Sequence, residues 1–422
     1  MAPAQTDPVQ TTASLNKPIP DLPADTKVSY LAEGGANVVY RIILPDDVPS
    51  KISNQFRGKL LRVRKMIDSS VPYVETIKSF DIHIREMFDS NELVDQQLVR
   101  LPKGFILACN DQLRLEEASQ TRPKSRHNVY LSTKEPFGLL ITDMTPEPDS
   151  GDCLYEFKPK WLLQSPSAPS DAKRCRTCAL RDMKNYDSGR DTRSFCPFDL
   201  VSDNFEDVLR ATSLLKGTHS RARVAMFLHN NSTLLRLRKF QEKMNAVGLP
   251  GLNAPYQERA LSMTLRDCTM YVKVSAMNDI FPIQCYSGWN GGRLTVQYQV
   301  PADENAPIEA RLGDLDFKTG LGGKVQYWRD VETRLIEEGW YSGKRGGKGE
   351  CSLLRNAAPV SPPSNGIIED EGNGASISRN LNGRTSQVRR NQPQSYVQSP
   401  APLKVVLKSR KNLNTTGNLW QK

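Results

Sequence analysis

The stretch Tyr155-Glu156-Phe157-Lys158-Pro159-Lys160 sets two lysines about a proline at the end of an aromatic run. Proline fixes its own φ and keeps the preceding residue extended, so the segment reads as a short strand. Alternation then puts both lysines on one side, with Phe157 and Trp161 on the other. Two like charges facing one way cost stability unless an anion lies between them, which argues for a site. Upstream, Glu33-Gly34-Gly35-Ala36-Asn37-Val38-Val39-Tyr40 is a glycine turn between apolar runs, where bare N–H groups can approach phosphate oxygens. Downstream, Gly313-Asp314-Leu315-Asp316-Phe317-Lys318 offers two carboxylates at a period of two and a lysine, a set suited to Mg²⁺ beside a phosphate. Nucleotide phosphates, a highly anionic acceptor and a metal would explain all three stretches. Together they indicate phosphoryl transfer.

Around these stretches the chain divides into four parts. Residues 1–25, rich in Pro, Ala, Thr and Gln, read as a flexible leader. Residues 26–145 form an N-terminal lobe: a glycine hairpin, the strand Lys59-Leu60-Leu61-Arg62-Val63-Arg64-Lys65 with one cationic face, an amphipathic helix over Val74–Gln97, and a buried strand through Leu140-Ile141-Thr142. Residues 146–342 form a C-terminal lobe. Its helices fall over Phe205–Leu215, Thr233–Val247 and Val325–Gly339, and its strands over Met270–Val274 and Leu294–Val300. Residues 343–422, dominated by Gly, Ser, Asn, Pro, Gln and Arg, read as a disordered tail. The fold class is α+β.

A net charge of +10 favours an acidic partner but does not choose among nucleic acid, an anionic surface and a small polyphosphate. No signal-peptide pattern and no membrane-length apolar run is present, so a soluble intracellular monomer without membrane contact is expected. Eight cysteines scattered through a long chain do not suggest a disulfide framework. Cys175-Arg176-Thr177-Cys178 has metal-knuckle spacing, with Cys196 or Cys153 as candidates to complete a site, yet no second CxxC or HxxxH follows. Thiols near a basic helix start are the preferred reading, and structural zinc is not expected. His83, His127, His219 and His229 are too dispersed for a metal centre or a triad.

Individual residues then acquire candidate roles. Asp267, at the head of an apolar strand, can accept a hydroxyl proton. Arg62, Arg64 and Lys65 follow the glycine turn in the order by which kinases pair a strand cation with nucleotide phosphates. Arg126, in the cation-rich loop Arg122–His127, gains weight if it faces the cleft of Lys158 and Lys160. Asn231, after the apolar run Val224–Leu228 read as a strand, offers an amide to hydroxyls or phosphates. The rival reading is a non-enzymatic, RNA-associated basic protein, suggested by the charge and the tail. It lacks RNP-like aromatic motifs, and nucleic acid is not required to explain the chain.

With these motifs in order, joined by Cys196-Pro197-Phe198-Asp199-Leu200 and Arg266-Asp267-Cys268-Thr269, the chain resembles the inositol-pentakisphosphate 2-kinases of fungal type from about Val28 to Tyr341. The resemblance implies a two-lobed inositol-phosphate-kinase fold distantly like protein kinases. It implies transfer of the ATP γ-phosphate to the 2-hydroxyl of inositol 1,3,4,5,6-pentakisphosphate, giving inositol hexakisphosphate (phytate), with Mg²⁺ as cofactor. On it, Gly34, Gly35, Ala36, Asn37 and Val38 cover the ATP phosphates, Arg62 contacts them, and Asp143 and Met144 lie near adenine. Asp314, with Asp316, holds Mg²⁺ on the nucleotide. Asp267 is the base and Lys158 neutralises charge on the transferring group. Arg126, Lys158, Lys160, Lys184, Asn231 and Lys318 grip the inositol phosphates, and the basic and aromatic residues expected after Lys318 fall, beyond a glycine insertion, on Lys324 with Tyr327 or Trp328. Family likeness and the run Lys408-Ser409-Arg410-Lys411 suggest the nucleus, otherwise the cytoplasm.

Overall fold

Strand β1 (Lys27–Glu33) turns through Gly34 and Gly35 into β2 (Asn37–Ile43), and Gly34 N donates to the Asn37 carbonyl at 2.9 Å. A side chain at Gly34 would meet no protein atom within 4 Å, so the bare backbone of the turn faces open space. The structure is a computed structural model and describes residues 18–67, 71–147, 149–217, 221–244, 248–275, 284–290, 293–299, 308–343 and 350–357.

Helix α1 (Ser50–Phe56) leads into β3 (Lys59–Arg64), then come α2 (Tyr73–His83), β4 (Gln96–Arg100), α3 (Phe105–Ala118) and β5 (Phe137–Thr142). The strands make one antiparallel sheet in the order β1-β2-β3-β5-β4. Val38, Tyr40, Leu61, Val63, Val99 and Leu140 point from it into a core closed by Phe105, Ile106, Cys109 and Leu113 of α3. Burial of such side chains is worth roughly 1.5–3 kcal/mol each and fixes the register of β3, since a one-residue slip would turn its apolar set outward. Leu22 joins this core, and its N–H bonds the Arg100 carbonyl at 2.9 Å. The leader expected over residues 1–25 therefore packs against the sheet at its end.

β6 (Cys153–Phe157) opens the second half. Helices α4 (Arg176–Ser188), α5 (Phe205–Ser213), α6 (Arg221–Leu228), α7 (Ser232–Lys243) and α8 (Tyr256–Leu265) follow, then β7 (Thr269–Val274), a hairpin of β8 (Gln284–Asn290) and β9 (Arg293–Gln299), β10 (Ile308–Gly313), α9 (Lys324–Glu337) and α10 (Ser352–Ala357). A three-stranded antiparallel sheet in the order β10-β7-β6 shares a second core with α5–α8, through Tyr155, Phe157, Met270, Val272, Val208, Leu234 and Leu265 among others. α9 stops where glycine allows it. Gly339 takes φ 73° while its N–H and that of Trp340 close on the Ile336 and Leu335 carbonyls. The α+β class holds, and among the described residues no helix is long and apolar enough to cross a membrane.

Three expectations are corrected. The helix over Val74–Gln97 ends at His83, followed by 3₁₀ turns at Arg85–Met87 and Ser90–Glu92. Arg85 bonds Asp81 at 2.8 Å and Asp95 at 2.9 Å, and Gln96–Arg100 are drawn into pairing with β5. The Val224–Leu228 run lies in helix α6, burying Val224, Ala225 and Leu228; a short apolar run does not separate helix from strand by periodicity. The tail expected from residue 343 contains a described helix, α10, with Cys351 buried ahead of it. Residues 358–422, including the Lys408–Lys411 run, lie outside the described residues.

Candidate active site

The second sheet determines which side chains meet. In its register Phe157 pairs with Met270, which pairs with Leu312, and Gly313 pairs with Thr269. Residues just past these strand ends share one edge: Lys158 after β6, Asp267 before β7, Asp314 after β10. Lys158 Nζ donates to Asp314 Oδ2 at 2.8 Å and to the Asp267 carbonyl at 2.9 Å, with Asp267 Oδ1 3.3 Å away. Lys160 Nζ donates to Asp267 Oδ1 at 2.8 Å. Lys318 Nζ lies 3.5 Å from Asp267 Oδ2 and 3.7 Å from Asp314 Oδ1. Three ammoniums thus surround two carboxylates.

Backbone geometry departs from simple alternation. β6 ends at Phe157, and Lys160 reaches Asp267 through a left-handed φ of 60°. That conformation is disfavoured for a residue with a Cβ, and Gln241 Nε2 helps hold it by donating to the Lys160 carbonyl at 2.8 Å and to the Leu265 carbonyl at 3.0 Å. Asp314 is also left-handed, at φ 52°. Thr264 Oγ1 anchors the following turn by accepting from Lys318 N at 3.0 Å.

Charge follows geometry. Burial pushes the Asp267 carboxyl up, but Lys160, Lys318 and Lys158 outweigh it and hold the group down to about 2. Burial pushes the Lys158 ammonium down, and Asp314 and Asp267 more than reverse this. At Lys160 burial prevails and the ammonium is lowered. Behind them Glu156, which sequence reasoning quoted but gave no role, is pushed up to about 7 by burial, against the pull of Lys158. Its Oε2 is buried without a hydrogen-bond partner.

The first sheet contributes Arg62, which grips Asp316 with both terminal nitrogens, Nη1 to Oδ1 at 3.0 Å and Nη2 to Oδ2. Burial lowers the Arg62 pKa, yet Asp316 raises it overall; Asp316, pushed up by burial, is held below its ordinary value by Arg62. With its amide oxygen toward Arg62, Asn37 accepts from Nη2 at 2.6 Å and Nε at 3.2 Å, and donates to the Tyr73 hydroxyl at 2.9 Å. The neighbouring cations do other work. Lys65 pairs with Glu33 and donates to the Gly34 carbonyl at 2.8 Å, and Arg122 grips Glu33 at 2.8 and 2.9 Å; all three side chains are buried. Lys65 and Arg122 therefore brace the glycine turn from beneath.

The profile of the inositol-pentakisphosphate 2-kinase family matches residues 30–334. The chain belongs to that family. It is accordingly an enzyme, a kinase. A relative, the inositol-pentakisphosphate 2-kinase of Yarrowia lipolytica (strain CLIB 122 / E 150), is 26% identical over 365 residues, which span 82% of this chain and 100% of the relative.

Within this member of the 2-kinase family the remaining expected residues have partners of their own. Arg126 lies at the glycine turn, its Nη1 4.0 Å from where a Cβ on Gly35 would sit. Val38 is fully buried in the first core. Asp143 accepts from Thr145 N at 2.8 Å and Thr145 Oγ1 at 2.6 Å, and Met144 is buried with Val94 and Tyr271. Asn231 caps α7, its Oδ1 accepting from Leu234 N at 3.1 Å. Lys184 is exposed on α4. Lys324 opens α9 with its Nζ 5.9 Å from the Tyr327 ring centroid, and Trp328 follows one turn on, half-buried.

Of the cysteines singled out in the sequence, three come together with a fourth. Cys175, Cys178 and Cys196 meet Cys351, and all four sulfurs lie within 4.8 Å of one another. Cys153 is not among them. No spacing in the sequence could announce Cys351, which stands 155 residues beyond Cys196.

Proposed function

We propose that this kinase transfers the γ-phosphoryl group of ATP to the 2-hydroxyl of inositol 1,3,4,5,6-pentakisphosphate, yielding inositol hexakisphosphate, on a two-lobed scaffold distantly like that of protein kinases. The observation that carries the reading is the convergence of Lys158, Lys160 and Lys318 on Asp267 and Asp314. Three cations balanced by internal carboxylates suit exchange with a polyphosphate: incoming phosphates take over the lysines. Such exchange relieves Asp267 of the charges that depress its pKa, moving it toward the range useful to a base just as the acceptor hydroxyl arrives. Lys158, between Asp267 and Asp314, is positioned to offset charge on the transferring group. Phosphates that do not react can orient the single free hydroxyl for in-line attack.

The first sheet would meet the nucleotide with the open backbone at Gly34–Ala36, braced by Lys65, and with Arg62. Asp314 and Asp316 are hard-oxygen donors at the cleft, a set that fits Mg²⁺ when phosphate oxygens and water complete the shell. Bound there, the ion would neutralise charge on the nucleotide phosphates. Purified protein given ATP, Mg²⁺ and inositol pentakisphosphate should form the hexakisphosphate, and Lys158→Ala should abolish turnover while leaving a folded chain. A folded Lys158→Ala protein with parental turnover would refute the assignment.

A further inference from the structure

Helix α7 buries a row in which Leu234 and Leu237 are followed by Gln241. Residues three and four apart share a helix face, so an amide ends an apolar row, and it is 0% exposed. Burying an amide where another leucine would fit costs free energy unless its polar atoms are paired. Here they are. Gln241 Oε1 accepts from Leu162 N at 2.9 Å, and Nε2 donates to the Lys160 carbonyl at 2.8 Å and to the Leu265 carbonyl at 3.0 Å. One acceptor and two donors at a single uncharged tip are what an amide supplies and an aliphatic side chain lacks.

The three partners matter for what they adjoin. Lys160 and Leu162 flank Trp161 in the segment leaving β6, and Leu265 closes α8 two residues before Asp267. A single buried side chain thus ties the backbone carrying Lys160 to the backbone carrying Asp267. Arg266 reinforces the tie: its Nη2 donates to the Gln241 carbonyl at 2.7 Å, its Nη1 donates to the Met244 carbonyl at 3.0 Å, and its guanidinium lies over the Trp161 ring, 5.0 Å from the centroid. Lys160 keeps its φ of 60° only while its neighbours hold it there. Released, the residue would relax to negative φ and draw its ammonium from the 2.8 Å contact with Asp267 Oδ1. We propose that Gln241 is a positioning residue of this kinase, acting on phosphoryl transfer by fixing the backbone of Lys160 so that the ammonium meets the acceptor beside Asp267. Being fully buried, Gln241 touches no substrate itself. Its role rests on the reading of Lys160 and Asp267 given above.

Gln241→Met keeps the length of the side chain and removes all three of its hydrogen bonds. In the full chain with ATP, Mg²⁺ and inositol pentakisphosphate, kcat/KM for the inositol phosphate should fall by about 10²-fold, the scale of an ångström's misplacement, while KM for ATP stays within about twofold. A double-mutant cycle then separates positioning from general destabilisation. In Lys160→Ala protein, Gln241→Met should cost less than about threefold more, because the group it positions is gone. Leu237→Ala, one turn earlier on the same buried face, should lower thermal stability yet leave kcat/KM within about twofold in either background. Should Gln241→Met fail to fold, Gln241→Glu takes its place in the cycle with the same expectations, since an ionised carboxylate can accept from Leu162 N but cannot donate to the two carbonyls. Equal losses with and without Lys160, unchanged kcat/KM in the folded variant, or a comparable loss from Leu237→Ala would each overturn the proposal alone. Parent protein that forms no hexakisphosphate would overturn the reading of the site, and the proposal with it.

Discussion

Replacing Asp267 by Asn separates two roles that one carboxylate holds. The change removes the proposed base, and it also takes a carboxylate partner from Lys160 at 2.8 Å, Lys158 at 3.3 Å and Lys318 at 3.5 Å, of which Lys158 and Lys318 keep Asp314. Their combined hold lowers the Asp267 pKa from 3.8 to about 2 against the effect of burial. At 1.36 kcal/mol per unit the shift corresponds to about 2 kcal/mol. The side chain is 38% exposed, so solvent screening reduces the effective coupling to about 1 kcal/mol. Asp267→Asn should therefore cost about 1 kcal/mol of stability near neutrality. For a depressed carboxylate this contribution is present above the unfolded value of 3.8 and is lost as pH falls through about 2. The same coupling, no longer competing for the lysines, should tighten inositol pentakisphosphate binding by about fivefold. Loss of a general base should meanwhile lower kcat by about 10²–10⁴. Calorimetric titration with the inositol phosphate, steady-state kinetics with product resolved by anion exchange, and thermal unfolding would read all three. A folded variant that binds more weakly than the parent, or whose kcat is unchanged, would refute the reasoning.

Glu33→Gln leaves Lys65 and Arg122 buried beside a neutral amide and should cost about 3–5 kcal/mol in denaturant unfolding; a loss under 1 kcal/mol would show that the network does not brace the turn. Glu156 holds its proton in the fold up to about 7, against 4.5 as its ordinary value. Its contribution is therefore fullest below 4.5, falls away by about 3 kcal/mol as pH rises through 7, and then levels off. Glu156→Gln should flatten that part of the stability–pH curve, and an unaltered curve would remove the assignment. Asn231→Ala should cost about 1 kcal/mol as a lost helix cap, leaving KM for the inositol phosphate within twofold; a tenfold rise in KM would instead make Asn231 a substrate ligand.

Much of the fold was legible because local signals agreed with tertiary demand. The glycine turn, the alternating Lys59–Lys65 strand and the helix closed by Gly339 each carry their pattern within a short local stretch. The end of α2 was not legible, since Ile84, Met87 and Phe88 continue a helical spacing while Gln96–Arg100 answer to β5. At the site, the lysines beside Pro159 predicted an anion between them, and the structure supplies one in Asp267, more than 100 residues away through the β6–β7 pairing. Lys65 and Arg122 misled in the opposite direction. They resemble phosphate cations in sequence, but Glu33 claims them, and that pairing arises only once β1 and β3 lie on either side of β2.

The internal balance of the lysine cluster has a consequence for how the cleft responds to dissolved electrolyte. An open cationic groove is clothed in small counterions whose release drives binding, and its affinity falls steeply as salt is added. Here Asp267 and Asp314 occupy the place of those counterions, so an arriving guest displaces tethered carboxylates and sheds few mobile ions. Affinity should then vary gently with ionic strength. A lone orthophosphate, able to replace only one of the contacts, should compete poorly with a guest that replaces them together.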